Sequence, residues 1–243
     1  MSVVLVYLRL YGSCLANALA ALAKNLWTLL LPVGLAVAWY ALGFVVVSLR
    51  TGIVGGFALA LARTAGFSVY TYFLAGVVAK ERVNLSELKT SLGAYFWSWM
   101  NVFFVLWIVE LLLGLALASN PQRDALLRVV SLMELIALNA TPEVVYLKRT
   151  GGGVETIQRS FQFLQENWIE WFVPNGLLIG AWFAASVYGL LPMLGALGGL
   201  AAAALFAALL HLLMVFRGFL FEALDGSTHR QRMFRYRGAG SAS

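Results

Sequence analysis

Three ionisable residues sit inside long apolar runs: Arg63, Glu110 and Glu134. Counted at ~1.5 Å per residue from the ends of their runs, they lie about 15, 12 and 14 Å deep. A lone charge at the centre of a bilayer costs at least ~2.5–3.5 kcal/mol, so a guanidinium and two carboxylates at a common depth invite pairing. The preferred reading is a structural ion pair or triad that sets helix register. A second is a proton or substrate relay in a water-filled cavity. A third keeps one carboxylate protonated and turned toward a partner subunit. His211 ends a stripe of small residues four apart: Gly195, Gly199, Ala203 and Ala207. A matching stripe runs Gly52, Gly56, Ala60 and Thr64. Small residues let helix backbones approach closely. His211 therefore reads first as a hydrogen-bonded packing residue and second as a relay. Glu143 follows Pro142 near the end of its run, where water is expected to reach it, and Arg217 is expected to snorkel to the surface.

Other chemistries lack their residues. The chain has two histidines and one cysteine, Cys14. A structural zinc site and a disulfide framework are excluded on that count. No catalytic constellation, metal site or cofactor is expected, and the protein is read as not an enzyme. The last stretch carries Arg230, Arg232, Arg235 and Arg237 among aromatic residues. It is read as a basic, flexible, lipid-facing tail on anionic headgroups, with about 1 kcal/mol per cation. Nucleic acid is not expected as a partner.

The elements that position these residues are set by composition. Of 243 residues, 61% are hydrophobic and 12% charged, against roughly a quarter charged in a soluble domain. The apolar residues cluster in blocks long enough to cross a bilayer. In hydrocarbon each backbone amide needs an internal partner, so the blocks must be helices. The expectation is an all-α polytopic membrane bundle. Six spans lie at about 26–49, 53–79, 95–118, 125–147, 168–191 and 196–220, the fourth kinked at Pro142. They form a single transmembrane domain, 1–227, followed by the tail, 228–243. The N-terminal apolar stretch is broken by Arg9 too early for a signal peptide, so it is expected to be retained.

Cation placement predicts direction. One side receives Arg9, Lys24, Lys80, Arg82, Lys89, Lys148, Arg149, Arg159 and the four tail arginines: twelve. The other receives Arg50 and Arg123: two. Both termini are thus expected in the cytoplasm of a bacterial cell, with the chain in its inner membrane. Trp27, Trp97, Trp99, Trp168 and Trp171 fall at the cytoplasmic starts of spans and are read as an aromatic belt. Three further segments read as amphipathic helices on the inner surface. Residues 3–23 place Leu8, Tyr11, Leu15, Leu19 and Leu22 near one face. The first inner loop has an Asn84/Glu87 capping box and a stripe of Val83, Leu85, Leu88 and Leu92. The second has Val154, Ile157, Phe161 and Leu164 after the flexible Gly151–Gly152–Gly153.

Leu22, Asn25, Pro32, Gly34 and Leu35 recur 142 residues later as Leu164, Asn167, Pro174, Gly176 and Leu177. Ser91, Trp99 and Phe103 echo Ser160, Trp168 and Phe172 more faintly. Each copy leads a surface helix into a span, which implies three hairpins in the same orientation. The stretch from Thr141-Pro142-Glu143 through Ile157-Gln158-Arg159-Ser160-Phe161 and Asn167-Trp168 to Gly176 resembles the six-helix membrane domain attached to some bacterial glycerophosphodiester phosphodiesterases. That domain also stands alone. The soluble barrel of those enzymes is absent, so the resemblance implies a membrane module and transfers no catalytic residue. The layout is also similar to membrane subunits of exporters driven by a separate ATPase. Such a partner would dock on inner loops, where Glu81, Glu87 and their neighbouring cations lie. The expected function is a scaffold or accessory subunit of a larger membrane assembly, with other protein subunits and the lipid bilayer as partners. The alternative is a permease subunit of a transporter.

Overall fold

A computed structural model describes residues 3–50, 52–187, 195–227 and 231–232. Side chains are described to residue 176 and again from 201. Every regular element among them is helical. The helices are α1 (Val3–Ala23), α2 (Leu31–Ser48), α3 (Gly52–Val78), α4 (Leu88–Ala94), α5 (Phe96–Ala116), α6 (Arg123–Ala137), α7 (Thr141–Lys148), α8 (Gly153–Val187) and α9 (Gly195–Leu224). Short 3-10 turns at Leu26–Leu30 and Leu85–Glu87 lead into α2 and α4. The all-α reading holds.

Among the described residues, six stretches are long and apolar enough to cross a membrane: Val4–Ala23, Leu26–Ser48, Gly52–Val78, Phe96–Ala116, Arg123–Lys148 and Ala201–Leu224. The number equals the expected one, but the membership differs. Val4–Ala23 was expected on the surface. The expected fifth span, 168–191, runs beyond the described side chains. Its first part is the second half of α8. The fourth stretch is interrupted rather than gently kinked. α6 stops at Ala137, and α7 restarts at Thr141 with Pro142 in its first turn. Proline lacks an N–H, so it fits a helix start, where that donor has no partner anyway.

Three helix breaks share a similar backbone conformation. Between α1 and the turn before α2, Asn25 adopts φ −135°, ψ 40°. Between α4 and α5, Tyr95 adopts φ −121°, ψ 10°. Within α8, Asn167 is the one non-helical residue, at φ −131°, ψ 19°. Each residue takes nearly the same conformation where a preceding helix meets an apolar one. Asn25 and Asn167 are the pair aligned in sequence. Tyr95 lies outside the aligned residues.

The residues gather into two compact units, neither continuous in sequence. The first holds Met1–Ala38, Gly76–Val83 and Asn167–Ser243. In it, α1 packs along α9. The buried face of α1 is Val6, Leu10, Cys14, Ala18 and Ala21. These recur at three- and four-residue spacing, and the alanines permit close approach. The leucine stripe expected to be one face is mostly turned away: Leu8, Leu15 and Leu19 are exposed, while Leu22 is buried. From α9, Phe216, Phe219 and Leu220 are buried.

The second unit holds Trp39–Ala75 and Asn84–Glu166. Its buried residues include Phe73, Trp99, Val102, Val144 and Tyr146. Glu87 reaches back to the Asn84 N–H at 3.4 Å, as the capping box predicts. Ser68 Oγ donates to the Ser91 carbonyl at 2.7 Å and accepts from the Tyr95 N–H at 2.9 Å. One hydroxyl on α3 thus serves both sides of the break between α4 and α5. The start of α8 also lies against α5. A side-chain carbon at Gly153 would collide with the Asn101 carbonyl, and Asn101 Nδ2 donates to the Gly151 carbonyl at 2.7 Å. This glycine turn was read as flexible. Gly153 is a close-contact residue instead.

Candidate functional site

In the first unit the break at Asn25 organises a buried polar junction. Asn25 Nδ2 donates to the Ala21 carbonyl at 3.2 Å and to the Glu81 carbonyl at 2.8 Å. Its Oδ1 accepts from the Val83 N–H at 3.0 Å. Trp27 Nε1 donates to the Val83 carbonyl at 3.0 Å. Two side chains therefore supply partners for the segment that leaves α3 and has no ladder of its own, as buried backbone polar groups require. Thr28 Oγ1 donates to the Asn25 carbonyl at 2.7 Å. It also lies 3.0 Å from His211 Nε2. With the hydroxyl proton spent on the carbonyl, the oxygen accepts from His211, which places a proton on Nε2. Asn25, Thr28 and His211 are all buried. His211 thus occupies a hydrogen-bonded packing position, the first of its two sequence readings.

Arg217 is also buried. Its guanidinium lies 4.9 Å from the Trp171 ring centre and donates to Asn175 Oδ1 at 3.3 Å. It does not snorkel, because aromatic and amide partners meet it inside the unit. Arg232 corrects the lipid-facing tail at one position. It is buried and forms a 3.2 Å ion pair with Glu170, and it donates to the Leu224 carbonyl at 3.1 Å. A carboxylate and a helix-end carbonyl outcompete a lipid surface for this guanidinium. Arg230, Arg235 and Arg237 lie outside the described residues.

The same unit contains an open cleft of 460 Å³. Ser13, Cys14 and Asn17 line it from α1, Lys80 from the end of α3, and Phe219 and Glu222 from α9. Lys80 has φ 62°, a left-handed helix-ending conformation. Its ammonium donates to Asn17 Oδ1 at 3.0 Å and lies 5.5 Å from the Phe219 ring centre.

The intramembrane charges belong to the second unit. Arg63 lies 4.7 Å from the Phe103 ring centre and 5.8 Å from that of Phe67. Among the described residues it has no carboxylate within ion-pair distance. The expected pair with Glu110 or Glu134 is replaced by aromatic faces, which attract a cation through the ring quadrupole. The two carboxylates lie on consecutive helices, α5 and α6. Glu110 is exposed on α5. On α6, Glu134 Oε1 is buried with no hydrogen-bond partner among the described residues. Glu143 is fully buried, not water-accessible as expected. α7 begins after the break at Leu138–Ala140, and Thr141 at its start donates to Ser160 at 3.2 Å.

The tryptophan belt divides. Trp97 and Trp168 are exposed, but Trp99 and Trp171 are buried. Trp99 Nε1 bonds Thr71 Oγ1 at 3.2 Å, so it is a core residue with its polar edge satisfied. The stripe of Gly52, Gly56 and Ala60 is exposed and touches nothing at its glycines. Thr28, Ser68 and Thr71 were missed by sequence reasoning. A hydroxyl in an apolar run was their only signal. Among the described residues no cluster of metal-ligating side chains occurs.

Fold and composition together define a multi-pass, all-α membrane protein in contact with lipid. No protein-family model, curated protein or solved structure matches the chain.

Proposed function

We propose that this chain is a non-enzymatic protein of the bacterial cytoplasmic membrane, with both termini in the cytoplasm, acting as a scaffold or accessory subunit of a larger membrane assembly. The observation that carries this reading is the carboxylate pair. Glu110 is exposed on an apolar helix, and Glu134 Oε1 is buried without a donor. Lipid cannot donate a hydrogen bond at that depth, so a helix from another subunit is the natural source. The uncovered small-residue stripe on α3 offers another helix a separate surface to pack on. The cytoplasmic assignment rests on the twelve-to-two cation count. A surface position for α1 is supported by its neighbours. Asn17 and Asn25 both reach the segment Lys80–Val83, which lies beyond the end of α3. The resemblance to a stand-alone membrane module agrees with a role without chemistry of its own.

Purification of the tagged protein in mild detergent tests the reading. Stoichiometric membrane subunits should accompany it, and Glu110→Gln with Glu134→Gln should release them without loss of fold. A protein that elutes alone, with or without the two changes, would refute the proposal. A stoichiometric ATPase would move the assignment to a permease subunit. That alternative has less support at the loops, because Glu87 is already engaged by its own cap and by Tyr72 at 3.0 Å.

A further inference from the structure

We propose that the cleft between α1, the end of α3 and α9 binds a zwitterionic headgroup of the phosphoethanolamine type. The cleft presents opposite charges that do not neutralise each other. Lys80 and Glu222 both line it, but among the described residues they form no ion pair. Lys80 is held by other contacts, with Asn17 on one side and the Phe219 ring on the other. Its position is set before any ligand arrives, and an ammonium has three donors, so directions remain for a phosphate. A simple anion would gain Lys80 and be repelled by Glu222. A simple cation would suffer the reverse. A ligand carrying a phosphate and an ammonium a few bonds apart satisfies both groups. The Ser13 hydroxyl donates to the Leu10 carbonyl at 2.8 Å, so its oxygen is left to accept from the ligand's ammonium.

Position and size agree with that ligand. Lys80 follows the last turn of an apolar helix long enough to span, which puts the cleft at headgroup depth. Its volume, 460 Å³, lies within the range of small-ligand sites, about 300–1,000 Å³. Leu15 and Leu19 are exposed on α1 next to the residues that line it, so acyl chains have an apolar surface to follow. Lys80 and Glu222 are themselves exposed. Substituting them removes charge without opening a core.

The test is native mass spectrometry of the full chain in detergent, titrated with phosphatidylethanolamine, phosphatidylglycerol and phosphatidylcholine. Phosphatidylethanolamine should bind most tightly. Lys80→Gln and Glu222→Gln should each weaken it about tenfold, the loss of one charge-assisted contact, and Lys80→Arg should restore most of it. Glu222→Gln should strengthen phosphatidylglycerol, because a repulsion is removed. Phosphatidylcholine should bind less well, since its quaternary ammonium has no N–H for Glu222. Displacement by soluble glycerophosphoethanolamine would identify a free headgroup as ligand. Retention of the lipid against it would identify the membrane as the source. Equal binding of all three lipids, or affinities that ignore both substitutions in a protein of unchanged melting temperature, would overturn the proposal.

Discussion

Arg63 illustrates how a charge at membrane depth is stabilised by something other than an opposite charge. Its guanidinium rests against Phe103 and Phe67. A double-mutant cycle on thermal stability in detergent should therefore find Arg63→Ala coupled to Phe103→Leu by about 1 kcal/mol. The same cycle with Glu110→Gln should be additive. Coupling to Glu110 in place of Phe103 would reinstate the ion pair. Asn25 shows the larger dependence. Asn25→Ala would leave the Val83 N–H and the Glu81 carbonyl without these partners, at about 1–3 kcal/mol for the buried Val83 N–H and less for the carbonyl of Glu81, which is exposed. A melting temperature close to wild type would mean that water replaces the side chain there.

At the scale of elements, the recurring device is a break of one residue. Asn25, Tyr95 and Asn167 each stop a helix in nearly the same backbone conformation. Each break frees backbone groups that need partners. At Asn25 the side chain itself supplies partners, and at Tyr95 the Ser68 hydroxyl does so from α3. Asparagine suits such a site because its amide competes with the helix for backbone bonds. The glycine turn before α8 follows a different rule, set by space. Gly153→Ala would press a methyl group against the Asn101 carbonyl. It should cost about 1–3 kcal/mol by overpacking, while Gly152→Ala, whose nearest neighbour would be Glu155 Cβ at 3.5 Å, should cost less. Equal melting temperatures for the two variants would show that α5 yields.

For the whole molecule, the cation asymmetry makes a prediction about direction. Reporter fusions after Asn120 and after Ser243 should report opposite sides of the membrane. The same side for both would defeat the proposed topology. The two candidate arrangements of α1 are separated by a third fusion. A reporter ahead of Val3 should lie on the same side as Ser243 if α1 rests on the surface, and on the opposite side if Val4–Ala23 crosses.

The helical class and most helix ends were legible from sequence, because both follow from short-range physics. A run of apolar residues in lipid must satisfy its own amides, and proline or a capping box marks an end without reference to anything distant. The Asn25–Asn167 match was legible for the same reason, since a helix break is a local event. Pairings were not legible. Depth in a membrane says how far along a helix a charge lies but not which way it faces around the axis. Arg63 could therefore share a layer with Glu110 and Glu134 yet point at Phe103. The burial of Glu143, Arg217, Trp99 and Trp171 was not legible on similar grounds, because proximity to a helix end does not by itself give access to water or headgroups. The meeting of Thr28 with His211, of Asn25 with Val83, and of Lys80 with Asn17 joins residues 58 or more positions apart, or 183 in the case of Thr28 and His211. Only the tertiary packing decides such contacts, because no periodicity in the chain records which distant helix lies beside which.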